Sequence, residues 1–115
     1  MSGARSASSH GLMVTLVGLA LAAAPAASAA LSTKVYTVTI QQMSFGQPPK
    51  TLHVGDRIEW VNNDIFVHSA TAADKSFDVE LKPKARATIV LRKPGTVSFI
   101  CRYHPGMKGQ LVVAK

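Results

Sequence analysis

Cys101, His104 and Met107 stand in the run Cys-Arg-Tyr-His-Pro-Gly-Met, and His68 lies 33 positions before the cysteine. These side chains offer one thiolate, two imidazoles and one thioether. Zinc favours four strong donors in a tetrahedron, and a thioether is a poor fourth. Iron–sulfur clusters need more cysteines than the single one present. Copper accepts all three donor types in both of its common oxidation states, with the thiolate and imidazoles in a plane and a distant thioether on the axis. Such a set suits the passage of one electron with little ligand movement. Taken singly, a lone cysteine is usually an inert small hydrophobe and a methionine usually fills space. Together, at three-residue intervals behind an apolar segment, Cys101, His104 and Met107 point to a metal centre completed by His68.

Rival donors fit less well. His53 sits between Leu52 and Val54, so strand alternation sends it to the solvent side. His10 and Met13 fall in the N-terminal apolar region. Met43 is read as packing or as part of an apolar rim, and Trp60 as a core ring. With one cysteine, neither an internal disulfide nor a binuclear copper centre bridged by two thiolates can form.

The elements that must hold these donors read as short strands. In Lys34 to Gln42, Tyr36, Val38 and Ile40 alternate with Val35, Thr37 and Thr39. Met43 to Lys50, with Gly46 and Pro48-Pro49, reads as a loop. Thr51 to Val54 and Arg57 to Asn62 read as strands around the turn Gly55-Asp56. Ile65 to Ala72 carries His68. Ala85 to Leu91 alternates again, and Thr96 to Cys101 sets Val97, Phe99 and Cys101 on one face, so the sulfur points inward. His104 and Met107 follow in a loop containing Pro105 and Gly106, and Gly109 to Ala114 makes a last strand. No segment carries helical periodicity. The expected architecture is a single all-β, Greek-key β-sandwich of seven to eight strands, in which sequence-distant strand ends meet at one end.

Residues 1–29 read as a secretory signal peptide of the general secretory type. Gly11 to Ala24 is apolar, Pro25 breaks it, and Ala27-Ser28-Ala29 supplies the small-residue cleavage pattern, with cleavage expected after Ala29. Residues 30–115 then form one domain, too small for a second lobe or a large substrate cleft. Retention of the leader as an anchor is the lesser reading, because the apolar run is shorter than the roughly 20 residues of a spanning helix. The domain holds twelve basic and six acidic side chains, a balance of +6. Such a charge steers acidic partners. Nucleic acid is a poor fit, since an exported chain rarely meets it and no basic run or nucleic-acid motif is present.

At these residues the chain resembles the cupredoxins, the type 1 (blue) copper proteins, and within them the plastocyanin and amicyanin group. The likeness covers Phe45 with Pro49, Val54-Gly55-Asp56, Trp60-Val61-Asn62, Asp64, Val67-His68, Phe77, Pro94-Gly95-Thr96, Phe99 and Cys101 to Met107 with Gly109. The spacing Cys-x-x-His-x-x-Met matches the short amicyanin-type ligand loop. The resemblance implies one copper per chain, with His68, Cys101 and His104 as equatorial ligands, Met107 as the axial one, and electrons passing through His104 at an apolar patch. Two positions depart from the pattern. Ser69 stands where many members carry an asparagine that ties the two ligand loops together, so that tie is weaker or rerouted. Tyr103 stands where amicyanins tend to have proline, and its extra N–H is expected to reach the Cys101 sulfur and raise the reduction potential.

The function implied is a one-electron carrier between redox proteins in the periplasm, monomeric, without stable membrane insertion after leader cleavage, and not an enzyme. Arg102 and Lys108 would form a cationic rim for redox donors and acceptors with acidic docking surfaces. A copper-binding protein for storage, delivery or resistance is the alternative, but the exposed Met-rich or His-rich tracts usual in such proteins are missing. A copper enzyme would need a second, open copper position with more histidines than His53 can supply.

Overall fold

The computed structural model describes residues 2–5, 8–22 and 34–115. The first two stretches contain no helix or strand, and their apolar side chains Leu12, Met13, Leu16, Val17 and Leu21 are exposed. Among the described residues no helix is long and apolar enough to cross a membrane. The expected cleavage point after Ala29 lies outside the described residues.

Nine strands follow: β1 (Val35–Gln41), β2 (Ser44–Phe45), β3 (Leu52–His53), β4 (Arg57–Asn62), β5 (His68–Ala72), β6 (Asp78–Leu81), β7 (Arg86–Val90), β8 (Gly95–Cys101) and β9 (His104–Ala114). They form a four-stranded sheet in the order β2-β1-β4-β7 and a five-stranded sheet in the order β3-β9-β8-β5-β6. The β1–β4 and β3–β9 pairs are parallel and the others antiparallel. The chain crosses repeatedly between sheets, as a Greek-key sandwich requires.

The nine strands exceed the expected seven to eight because two segments carry weak sequence signals. β2 is only two residues long, inside the Gly- and Pro-rich stretch read as a loop. β6 is an edge strand whose outward Asp78 and Glu80 leave Val79 and Leu81 as its only apolar residues. Elsewhere the alternation holds except at the end of β4 and the start of β5, where consecutive residues are buried. Val38 and Ile40 of β1, Ile58 and Trp60 of β4, and Phe99 and Cys101 of β8 are buried between the sheets.

The core centres on Phe99, whose ring meets those of Phe45 at 4.9 Å and Trp60 at 5.1 Å in edge-on geometry. Such pairs contribute about 0.5–1.5 kcal/mol each beyond their area. Trp60 is fully buried, and its Nε1 has no hydrogen-bond partner. Gly109 lies against Phe99, so close that a Cβ there would come within 2.5 Å of the ring. This aromatic layer lies directly beneath the end of β8, where Cys101 sits.

One local expectation changes. His104 to Met107 is the start of β9 rather than a loop, with Cys101 and His104 paired across the tight turn Arg102-Tyr103. The register shifts between Ile100 and Cys101, since Ile100 pairs with Lys108 and leaves the intervening residues of β9 as a bulge. A bulge tolerates Pro105, which has no N–H for a regular ladder.

Candidate metal centre

Four strand ends build the site. Cys101 closes β8, His104 opens β9 and His68 opens β5, which pairs with β8 through Thr71 with Ile100 and Ala72 with Phe99. The fourth, Asn62, ends β4. Its buried side-chain amide donates to the carbonyls of Phe66 at 2.8 Å and Leu81 at 2.9 Å, while its oxygen accepts the Asp64 N–H at 2.9 Å. Residues 62–66 are thereby folded into a fixed loop that delivers His68 to the end of the sandwich.

The donor atoms of His68, Cys101 and His104 all lie within 4.8 Å of one another. Sγ of Cys101 is 3.7 Å from Nδ1 of His68 and 3.6 Å from Nδ1 of His104. Donors held roughly 2.0–2.3 Å from a shared ion are separated by about these distances, so the three fit a single metal. Cys101 and His68 are fully buried and His104 is half-buried. Met107 is buried in the same apolar cluster as Cys101. His53 points to solvent on β3, with 55% of its side chain exposed.

His68 and Cys101 are each held by a second group. Asp64 Oδ2 lies 2.7 Å from His68 Nε2, and a carboxylate only accepts, so Nε2 carries the proton and Nδ1 turns its lone pair toward the sulfur. The same carboxylate accepts the N–H groups of Gln42 at 2.7 Å and Met43 at 3.0 Å. Both residues have positive φ, 52° and 60°, and Asp64 compensates for that left-handed turn. Chiefly the Met43 N–H, then His68, lowers the Asp64 pKa below the ordinary aspartate value.

At the sulfur, the Ser69 N–H donates at 3.3 Å. It occupies the role expected of Tyr103, whose N–H makes no such bond among the described residues. The Tyr103 phenol donates instead to Glu80, which drags the side chain along β6. The Ser69 hydroxyl accepts the Arg102 N–H at 2.9 Å, so the two ligand segments are tied by serine where asparagine was expected to serve.

His104 opens toward an apolar rim. Phe66 packs edge-on at 6.3 Å from its ring and is 51% exposed, and Ile65 beside it is 78% exposed. Arg102 is not free at this rim, since its guanidinium is ion-paired to Asp78 and to Glu80.

The donor set, the sandwich and the strand-end geometry define a cupredoxin: the cupredoxin-like domain family matches residues 12–113, and the chain belongs to it. Within that family the chain is a blue copper protein similar to the amicyanins. It is 32% identical to amicyanin-alpha of Methylorubrum extorquens over 82 residues, covering 66% of this chain and 69% of that protein. To amicyanin of Paracoccus versutus it is 26% identical over 95 residues, covering 77% and 72%. A reduced Cu(I) amicyanin variant superimposes with a TM-score of 0.59 at 25% identity, over 72% of this chain and 85% of that one. A copper-containing nitrite reductase from Thermus scotoductus gives 0.61 at 32% identity, but the chain spans only 24% of its length.

Sequence reasoning found the three clustered donors and missed what steers them. Asp64 was visible only as a shared residue, although its place four positions before His68 was a usable signal. The bonds of Ser69 to Arg102, of Asn62 to Leu81 and of Arg102 to Asp78 and Glu80 span long sequence separations, and no local signal names these partners.

Proposed function

We propose that the chain is an exported, periplasmic one-electron carrier that works as a monomer between redox proteins, with a copper ion that would be held by His68, Cys101, His104 and Met107. Copper bound there supplies a one-electron couple. The observation that carries the reading is the convergence of one buried thiolate and two imidazoles within 4.8 Å at a strand-end site with a single half-exposed ligand. Asp64 fixes the tautomer of His68. Ser69 places an N–H dipole on the sulfur and favours its negative charge. The layer of Phe99, Trp60 and Phe45 beneath Cys101 keeps water from the sulfur side. Electrons enter and leave across His104, between Phe66 and Ile65. Export is supported by the leader pattern in the sequence of residues 1–29. The balance of +6 over residues 30–115 and exposed Lys108 favour acidic partners.

The test is spectroscopic and kinetic. The Cu(II)-loaded protein is expected to show an intense blue band that Cys101→Ser abolishes and that Met107→Leu changes in energy without abolishing. Repeated rapid reduction and reoxidation should proceed with copper retained. Loss of the ion to a chelator at each reduction would instead favour a delivery protein.

A further inference from the structure

The tie between Ser69 and Arg102 continues into a closed ring of hydrogen bonds. The Ser69 hydroxyl lies 2.9 Å from Oγ1 of Thr71, and Thr71 donates to Oδ1 of Asp78 at 2.9 Å. The Arg102 guanidinium closes the ring on the same Asp78 oxygen. The directions follow from the chemistry. A carboxylate only accepts, so the single hydroxyl proton of Thr71 goes to Asp78. Thr71 must then accept from Ser69, and Ser69, its own proton spent, accepts from the Arg102 N–H. From the Arg102 N–H through Ser69 and Thr71 to Asp78 the three bonds run in one direction and reinforce one another, and the guanidinium closes the ring as a second donor to the same carboxylate oxygen.

Ser69 and Arg102 flank the donors directly: Ser69 follows His68 and Arg102 follows Cys101. Ser69 is fully buried and makes two contacts with the second ligand segment, its N–H to Sγ and its hydroxyl to the Arg102 N–H. Thr71 is half-buried and Asp78 is exposed, and both lie further along the β5–β6 hairpin.

We propose that Thr71 and Asp78 are positioning residues of the copper centre: through Ser69 they lock the turn after Cys101 and hold the Ser69 N–H on the sulfur, replacing the single side-chain amide tie by a four-residue ring. The inference rests on the copper reading for its electronic consequence, and on geometry alone for the positioning. Weakening the ring withdraws the N–H from the thiolate and favours Cu(II) relative to Cu(I).

The experiment compares the isosteric Thr71→Val with Thr71→Ser, which keeps the hydroxyl, and with Asp78→Ala. In the copper-free protein, exchange of the Arg102 amide hydrogen is expected to accelerate at least about tenfold in Thr71→Val and Asp78→Ala and to stay near the parent rate in Thr71→Ser. In the loaded protein the ratio of Cu(II) to Cu(I) affinity, read from the reduction potential, should rise about threefold in the first two and recover in Thr71→Ser. An unaltered Arg102 exchange rate or an unaltered potential in Thr71→Val overturns the proposal. A parent protein without a blue band is a separate failure, of the copper reading, and the exchange comparison still decides the positioning.

Discussion

Asp64 and Gly109 show how single residues act on a centre they do not ligate. Asp64 gathers His68 Nε2 and two backbone N–H groups on one carboxylate. Without it, His68 is free to take the other tautomer or to rotate, and either removes the lone pair from the metal position. Asp64→Ala is therefore expected to lower copper affinity about 10–100-fold, measured by competition with a chelator, while a chain that loses only a surface charge would show no change. Gly109 acts through volume. A methyl group there meets Phe99 at 2.5 Å, and Phe99 is locked among Phe45, Trp60 and Phe77. Gly109→Ala should cost about 1–3 kcal/mol in denaturant unfolding, because a filled aromatic layer has nowhere to move. At this scale the sequence was readable where chemistry is carried by residue type: a lone thiolate beside imidazole and thioether admits few other uses. It was silent where the role depends on a distant contact, as for Asn62 with Leu81, and it marked Ser69 as a tie between the ligand segments without naming Arg102 as the partner.

The β5–β6 hairpin is the element on which the site leans, since β5 opens with His68 and β6 carries Asp78 and Glu80 to Arg102 and Tyr103. Its turn is held by Asp74, whose carboxylate accepts the Ser76 N–H at 2.9 Å. Bonds from Ser76, first its hydroxyl and then its N–H, lower the Asp74 pKa. A carboxyl depressed in the folded state stabilises above its unfolded value, and that contribution is lost as pH falls through the folded value. The Ser76 amide proton should consequently titrate with a midpoint below about 3.9, the ordinary aspartate value. A midpoint at or above that value, or a titration that survives Asp74→Ala, would contradict this account of the turn. Strands with clean alternation, such as β1, β7 and β8, were legible because burial on one face imposes a period of two. β6 was not, because its alternation of Asp78 and Glu80 with Val79 and Leu81 runs for only four residues, too short to establish a period. The opening of β9 reads as loop in the sequence because Pro105 and Gly106 signal a turn locally, whereas the ladder accommodates them as a bulge.

Over the whole molecule, two surface properties compete to govern encounters with partners. One is the balance of +6 carried by residues 30–115, which acts at long range. The other is the apolar rim of Phe66 and Ile65 beside His104, which acts only on contact. Near the rim, Asp78 and Glu80 more than offset Arg102, and among the described residues Lys108 stands in no ion pair. Long-range steering therefore draws on charge spread over the domain, to which exposed Lys108, next to Met107, contributes. These two contributions separate by salt. At about 0.01 M ionic strength charges act over roughly 30 Å, and at about 0.15 M over only about 8 Å. The bimolecular rate constant with an acidic redox partner should fall about tenfold across that range, and Lys108→Glu should lower it about threefold at the dilute end with little effect at the concentrated end. Phe66→Ser should slow the reaction at every salt concentration with the reduction potential little changed, because it removes contact area beside His104 while leaving every donor and the Asp64 and Ser69 hydrogen bonds in place. A Phe66→Ser protein as fast as the parent would place the electron's path somewhere other than the His104 rim.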